Sequence, residues 1–361
     1  MSPARIATNS PTRPVGLVRP GLTSVPLPSV EMDPRTAYEL LASTCSDCGE
    51  LDDLLPEDRR WLEDSRAALT AQLGSNPSFK SCSGFMPELG RILAGRPEVK
   101  TARDVVAAID KMSDADLLEA MVGELLEDPD LSGITRRAVD GEAAAYAELQ
   151  ARLDSSHGHS ILTTPLADLI PAARAILHAW LPRFEVVEAR VGRMLDRDAA
   201  SRGLDDAVRD PIGFVERTTN GIRLVPEQRI RRVILAPSYF GRPYNSLTKV
   251  GDAQIICYPI GDSALGAADR LAPPASTIRL YRALGDESRL RILRLLAEGD
   301  RYLTEIANEL DLSKPTIKHH LAQLRAAGLV TLIEQSNLTY YSLRRDRAEE
   351  AGVELRAYLA H

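Results

Sequence analysis

Ser313-Lys314-Pro315-Thr316-Ile317-Lys318-His319-His320-Leu321 opens the segment whose punctuation decides the fold of this chain. Ser313 offers the side-chain oxygen of a helix N-cap, and Pro315 falls in a first turn whose backbone donors have no intrahelical partner. Ile317, Leu321 and Leu324 then recur at helical spacing, so one face is committed to a core. The opposite face is left free, with Pro315, Thr316, Lys318, His319, Ala322 and Gln323 on or beside it. The spacing predicts a helix to Ala327. Gly328 follows as a left-handed C-terminal cap, and Leu329, Val330, Leu332 and Ile333 begin a strand. Upstream, Leu303, Ile306, Ala307 and Leu310 make the same stripe on a shorter helix, and Asp311-Leu312 leaves only a brief turn between the two. Two helices joined this tightly, with helical signals before them and a hairpin after, give a winged helix-turn-helix layout from Ile278 to Arg345.

The run Leu280-Tyr281-Arg282-Ala283-Leu284-Gly285-Asp286-Glu287-Ser288-Arg289-Leu290-Arg291-Ile292-Leu293, together with Ser313 to Val330, resembles the ArsR/SmtB winged-helix repressors. The resemblance covers about the last fifth of the chain. It implies a dimeric, operator-binding regulator whose recognition helix is Ser313 to Ala327. Carried over by position, Lys314, Thr316, Lys318 and His319 face DNA, and Ser313 and Gln323 complete the expected set. His320 occupies the family's frequent histidine just before the core leucine, and its place beside the buried stripe makes it a structural residue. Two departures exclude the family's metal chemistry. Where a thiol site needs cysteines the chain has Tyr302-Leu303-Thr304-Glu305, and the last segment, Asp346 to Leu359, supplies acids but no histidine before His361. No metal and no cofactor are therefore expected. The wing tip, Glu334-Gln335-Ser336-Asn337-Leu338, also lacks Lys and Arg, which leaves phosphate contacts there to polar side chains or backbone amides.

The 361 residues allow two or three domains, and 44% apolar residues with a formal net charge of −7 describe a globular protein. No apolar run approaches the length of a membrane helix and no hydrophobic signal core opens the chain, so no membrane partner and a cytoplasmic location are expected. Charge counted by region refines the acidic total. From Ile278 to Asp346, 11 Lys and Arg stand against 9 Asp and Glu, a balance of +2 that leaves the acidity in the remainder. That is a weak electrostatic footprint for a DNA-binding module, and it implies that two modules act together.

Residues 1–33 read as a disordered tail, because Met1 to Met32 holds six of the 23 prolines without sustained periodicity. Residues 34–270 read as one α+β sensor domain, helix-rich with a small antiparallel sheet. Its helical patterns are Pro34 to Ala42, Pro56 to Leu73, Thr101 to Asp110, Asp114 to Leu126, Thr135 to Leu153, Leu166 to Trp180 and Arg183 to Leu195. Phe214 to Thr219 and Ile222 to Val225 flank Asn220-Gly221 as a two-residue hairpin, and Arg231 to Leu235 and Gln254 to Tyr258 are further strands. Ala272-Pro273-Pro274-Ala275-Ser276 marks the boundary to the winged helix at 277–346, with a short C-terminal helix over 347–361. Leu280, Leu284, Val353, Leu355 and Leu359, at the edges of the winged helix, are the expected dimer contacts.

The N-terminal region carries the remaining chemistry. Pro237 to Asn245 concentrates aromatics in a chain that is only 5% aromatic. Tyr239, Phe240, Arg242 and Tyr244 there suit an organic small-molecule effector, against the plainer account of packing in a long connection. Cys45-Ser46-Asp47-Cys48 lacks the second pair that a structural zinc site needs, so free cysteines are expected, with a redox dithiol as the alternative. His157-Gly158-His159 reads as a solvated loop. There is no P-loop, Rossmann glycine fingerprint, G-x-S-x-G elbow or H-E-x-x-H, so the chain is not expected to be an enzyme. The function that follows is a ligand-responsive, homodimeric repressor of an operator in double-stranded DNA. The rivals are a winged-helix scaffold for protein contacts and an enzyme domain fused to a regulatory winged helix. Effector, operator sequence and the sense of regulation are not written in the sequence.

Overall fold

The computed structural model of the protein describes residues 25–45, 49–74, 86–127, 129, 131–156, 166–266, 273–335 and 338–360. The N-terminal part runs β1 (Ser29–Met32), α1 (Thr36–Thr44), α2 (Pro56–Leu73), α3 (Ala102–Asp110), α4 (Asp114–Glu127), α5 (Ser132–Val139), α6 (Ala143–Ser156), α7 (Leu166–Ser201), α8 (Asp205–Arg209), α9 (Pro211–Thr218), β2 (Ile222–Leu224), β3 (Arg232–Ser238), β4 (Ser246–Val250) and β5 (Ala253–Pro259). The C-terminal part is α10 (Ala275–Leu284), α11 (Glu287–Glu298), β6 (Arg301–Tyr302), α12 (Leu303–Leu310), α13 (Lys314–Ala326), β7 (Val330–Gln335), β8 (Leu338–Leu343) and α14 (Arg345–Leu359).

The α+β class and the winged helix stand as expected, but the N-terminal sheet is mixed rather than antiparallel. Its order is β1-β3-β5-β4; β1 and β5 both run parallel to β3, and only β4 is antiparallel to β5. The reason is visible in Val233-Ile234-Leu235-Ala236 and Ile255-Ile256, continuous apolar runs that belong to strands covered on both faces. Ile234, Ala236 and Ile255 pack into the helical core, while Val233, Leu235, Ile256 and Tyr258 meet Phe214 and Val215 on the other side. The supposed tail also contributes. Ser29–Met32 forms β1 at the sheet edge, too short a strand for periodicity to reveal.

Two helical expectations merge into one. α7 continues through Pro182, although proline removes a backbone donor from the helix interior. Burial compensates: Trp180, Phe184, Val187, Val191 and Leu195 all face the core, and Trp180 Nε1 donates to Ser43 Oγ at 2.8 Å. The same helix presents Arg190 to the fully buried Asp58, which also accepts from the Tyr239 hydroxyl at 2.8 Å.

Phe214 to Thr219 is helical, not a strand. Asp210 caps α9 by accepting from the Gly213 amide at 2.9 Å, Pro211 fills the first turn, and Phe214, Val215 and Thr218 share the buried face. Asn220-Gly221 is accordingly the left-handed end of that helix, with φ of 56° and 117°, and the Gly221 amide returns to the Glu216 carbonyl at 2.9 Å. The chain leaves this cap as β2, which pairs in parallel with β7 of the wing, Ile222 opposite Leu332 and Leu224 opposite Glu334. The second sheet has the order β2-β7-β8-β6, so the proposed boundary near residue 272 separates segments of sequence that share one sheet. Helix α10 begins at Ala275 and α14 at Arg345.

At Gly221 a side chain would require a backbone conformation that L-residues rarely adopt, and its Cβ would stand 3.2 Å from the Val330 carbonyl oxygen. We expect Gly221→Ala to cost about 1–3 kcal/mol, read as a lower melting temperature. An unchanged transition would mean that the junction tolerates another cap.

Candidate nucleic-acid interface

Helix α13 is built as its sequence dictates. Ser313 Oγ accepts from the Thr316 amide at 3.3 Å and lies 2.7 Å from the Thr316 hydroxyl, closing the first turn. Ile317, Leu321 and Leu324 are almost wholly buried against Ile292, Ile306, Leu310 and Leu329. The turn before the helix uses Asp311 at φ 54°, and Gly328 at φ 73° ends it. Lys314, Pro315, Thr316, Lys318 and His319 consequently stand exposed on its first two turns. They form a surface with two ammonium groups, a hydroxyl and an imidazole, suited to phosphates and base edges. The middle of the wing tip, residues 336–337, lies outside the described residues.

His320 is set apart from that surface. Its side chain is largely covered, Nδ1 lies 3.9 Å from an Asp286 carboxylate oxygen, and burial holds its pKa below the ordinary 6.5 against the opposing pull of Asp286. Asp286 is itself the N-cap of α11, accepting from the Arg289 amide at 2.9 Å, and that bond holds its carboxyl below the usual range.

Gln323 is placed differently from its neighbours. It is half-buried, and its Nε2 donates to Glu50 Oε1 at 3.0 Å and to the Tyr244 hydroxyl oxygen at 3.1 Å. Tyr244 in turn donates to the same Glu50 oxygen. The far half of α13 is thus docked on the N-terminal part, and Gln323 is removed from the free face expected for it. Sequence offered no signal for this contact, because Glu50 is 273 positions away.

The aromatic loop is likewise divided. Tyr239 is fully buried, accepting from the Leu55 amide at 2.8 Å and donating its own amide to Glu39 at 2.9 Å. Phe240 stacks 5.4 Å from Trp61 and 6.2 Å from Phe184. Arg242 is fully buried as the ion partner of Asp262. Of the four expected ligand residues, Tyr244 lines a cleft of about 190 Å³ bounded by Tyr38, Leu41, Ser238, Asn245, Thr248 and Cys257. The other three hold the interior together. Beneath the loop lies Glu39, whose buried carboxylate accepts from Ser238 Oγ at 2.6 Å and from the Tyr239 and Phe240 amides, both at 2.9 Å. Burial raises its pKa and these three donors pull it back.

Cys45 is disulfide-bonded, contrary to the expectation of free cysteines, and Cys48 and Cys82 lie outside the described residues, as does His157-Gly158-His159. Among the described residues, no three His, Cys, Asp or Glu side chains are grouped to hold a metal ion, and no helix is long and apolar enough to cross a membrane.

Comparison with known proteins agrees with this geometry. The model of the arsR family of bacterial regulatory proteins matches residues 286–331. An uncharacterized HTH-type transcriptional regulator of Methanocaldococcus jannaschii is 40% identical over 72 residues, which is 20% of this chain and 81% of that protein. The arsenic resistance transcriptional regulator of Pseudomonas putida is 38% identical over 74 residues, 20% of this chain, which spans 55% of that relative's length. The transcriptional repressor SdpR of Bacillus subtilis is 38% identical over 64 residues, 18% of this chain and 71% of SdpR. The chain belongs to the arsR family, and its winged helix is the family's DNA-binding helix-turn-helix.

Because His320 is held neutral, the unfolded chain takes up its proton first as acidity rises. The stability tied to this histidine is full above pH 6.5 and is lost as pH falls through its lower folded value. Urea unfolding of wild type and His320→Gln at pH 7.5 and 5.5 should show a smaller acid loss in the variant. Equal losses would remove His320 as a source of acid sensitivity.

Proposed function

We propose that the protein is a cytoplasmic, homodimeric transcriptional repressor that binds an operator through α13 and acts by binding rather than catalysis, with the N-terminal part answering a small-molecule effector. The observation that carries this reading is the exposed first half of α13, where Lys314, Thr316, Lys318 and His319 point away from a core locked by Ile317, Leu321 and Leu324. Ser313 orders the turn that presents them. The repressor sense is supported by the likeness to SdpR, named a transcriptional repressor.

Dimerisation is supported by an apolar face on α10 and α14, which pack together through the Tyr281 hydroxyl and the Ala351 carbonyl at 2.9 Å. Ile278, Tyr281, Val353, Leu355 and Leu359 are exposed there. Leu280, expected among them, is instead wholly buried in the winged-helix core. Two copies would set two recognition helices on half-sites about one DNA turn apart.

The test is a gel shift with the DNA upstream of the protein's own gene. Lys318→Ala should weaken specific binding by about 1–3 kcal/mol at fixed salt, and equal affinity would take Lys318 out of the interface. Val353 is 54% exposed in the single chain, so Val353→Asp leaves the fold intact. The variant should shift the molar mass by light scattering from dimer to monomer and weaken operator binding at least roughly tenfold. A monomeric wild type with an unchanged footprint would retire the dimer.

A further inference from the structure

The cleft beside Tyr244 has a definite chemistry. One wall is apolar, from Leu41, Ala42 and Ile255, with the Tyr38 ring beside them. No Lys, Arg or His lines it, and Asp33, Glu39 and Glu88 all act on the Cys257 thiol at its edge. Asp33 and Glu88 are already paired with Arg35 and Arg91, and an anion would find no cationic side chain on the cleft wall itself. Burial pushes the Cys257 thiol up to about 12, so it presents a neutral thiol to the cleft. Asn245 is oriented by its Nδ2, which donates to the Thr219 carbonyl at 3.0 Å, and its Oδ1 is shut off from solvent without a hydrogen-bond partner. That oxygen is an unmet acceptor in a residue of the cleft wall, and a ligand donor reaches it as the wall yields to the ligand.

Tyr244 belongs to two places. Its ring borders the cleft, while its hydroxyl completes the triangle with Glu50 and Gln323 of α13. Glu50 is held in register from the same loop, since its amide donates to the Arg242 carbonyl at 2.8 Å. Gly49 leaves no room to slip, because a Cβ there would stand 2.2 Å from the Phe240 carbonyl oxygen.

We infer that this cleft is the effector site: it takes a small, uncharged, largely aromatic or aliphatic molecule bearing one N–H or O–H donor, and Tyr244 transmits its occupancy to α13. The inference rests on the regulatory reading above and deepens it by naming the site, the ligand class and the coupling residue. A ligand seated against the Tyr244 ring has to share its space, and a swing of the whole side chain about its Cα–Cβ bond carries the hydroxyl away from Glu50 and Gln323. The docked half of the reading helix then loses its contact with the N-terminal part.

Indole and phenol serve as neutral probes and benzoate as the charged control, with the full-length protein throughout. Calorimetric titration should give binding of indole or phenol and none of benzoate. Thr248→Trp, which fills the cleft from half-buried β4, should abolish that binding. Operator affinity of wild type should change by at least fivefold at saturating probe. Tyr244→Phe, which keeps the ring and removes the hydroxyl, should still bind the probe but lose that response. Failure of both neutral probes to bind, or binding undiminished in Thr248→Trp, overturns the site. Equal binding of benzoate overturns the ligand class, and a full response in Tyr244→Phe overturns the coupling. Wild type that binds the probe and shows no affinity for the operator would retire the regulatory reading while leaving the cleft as a binding site.

Discussion

Three residues, Ile222, Arg223 and Leu224, determine how the two ends of this chain are joined, because they leave the N-terminal part and pair in parallel with β7 of the wing. Parallel neighbours need a long crossover, and here the chain from Val225 through β3, β4 and β5 and on through α10 to α13 serves as one. The pairing covers the edge of β7 that would otherwise present unpaired backbone groups. It is reinforced at its start, where the Leu332 amide donates to the Gly221 carbonyl at 2.9 Å and Arg344 donates to Asn220 at 2.9 Å. The winged helix is therefore fixed to the N-terminal part by backbone as well as by side chains.

Three ties bear on α10 and α13 from the segment that follows α1. Asp53 forms a buried ion pair with Arg279, and burial pulls that guanidinium down to about 10. Such a pair gives back in attraction much of what its dehydration costs, so its main effect is to fix orientation. Asp52 reaches Arg282 at 3.4 Å in a more exposed pair worth little by itself. Glu50, three positions before Asp53, holds Gln323. One short stretch thus touches both the first helix of the winged domain and its reading helix, and any movement of that stretch is felt by both.

The winged helix was legible because its signals are local: a cap at Ser313, a left-handed Gly328, and apolar stripes that close over a few turns. The N-terminal part was less so, for reasons that differ by element. Phe214 and Val215 look like strand residues, yet the Asp210-Pro211 start was the stronger instruction and made them helical. Asn220-Gly221 does adopt positive φ, as a hairpin turn would require, but the same conformation ends a helix. Parallel β3 and β5 are set by packing on both faces, which no alternation records. At the site, exposure of Lys314 to His319 follows from the helix period, whereas the capture of Gln323 and the burial of Tyr239, Phe240 and Arg242 depend on partners distant in sequence. The fully buried Arg242 beside a partly buried Asp262 is the kind of pairing that only the fold reveals.

The charge balance gives these contacts their weight. A protein of net charge −7, with a winged helix near neutrality, draws little general attraction from the phosphate backbone. Affinity must then come from the correct placement of a few groups on α13 rather than from a broad basic field. Placement is sensitive to angle, and the angle of α13 is set jointly by its own core and by the hydrogen bonds of Gln323. A strongly basic module would hold DNA through a small tilt of its reading helix, because steering charges act over many ångströms. A near-neutral one would not. Under the proposed coupling, it is this weak footprint that would allow a single tyrosine on a small cleft to control the helix.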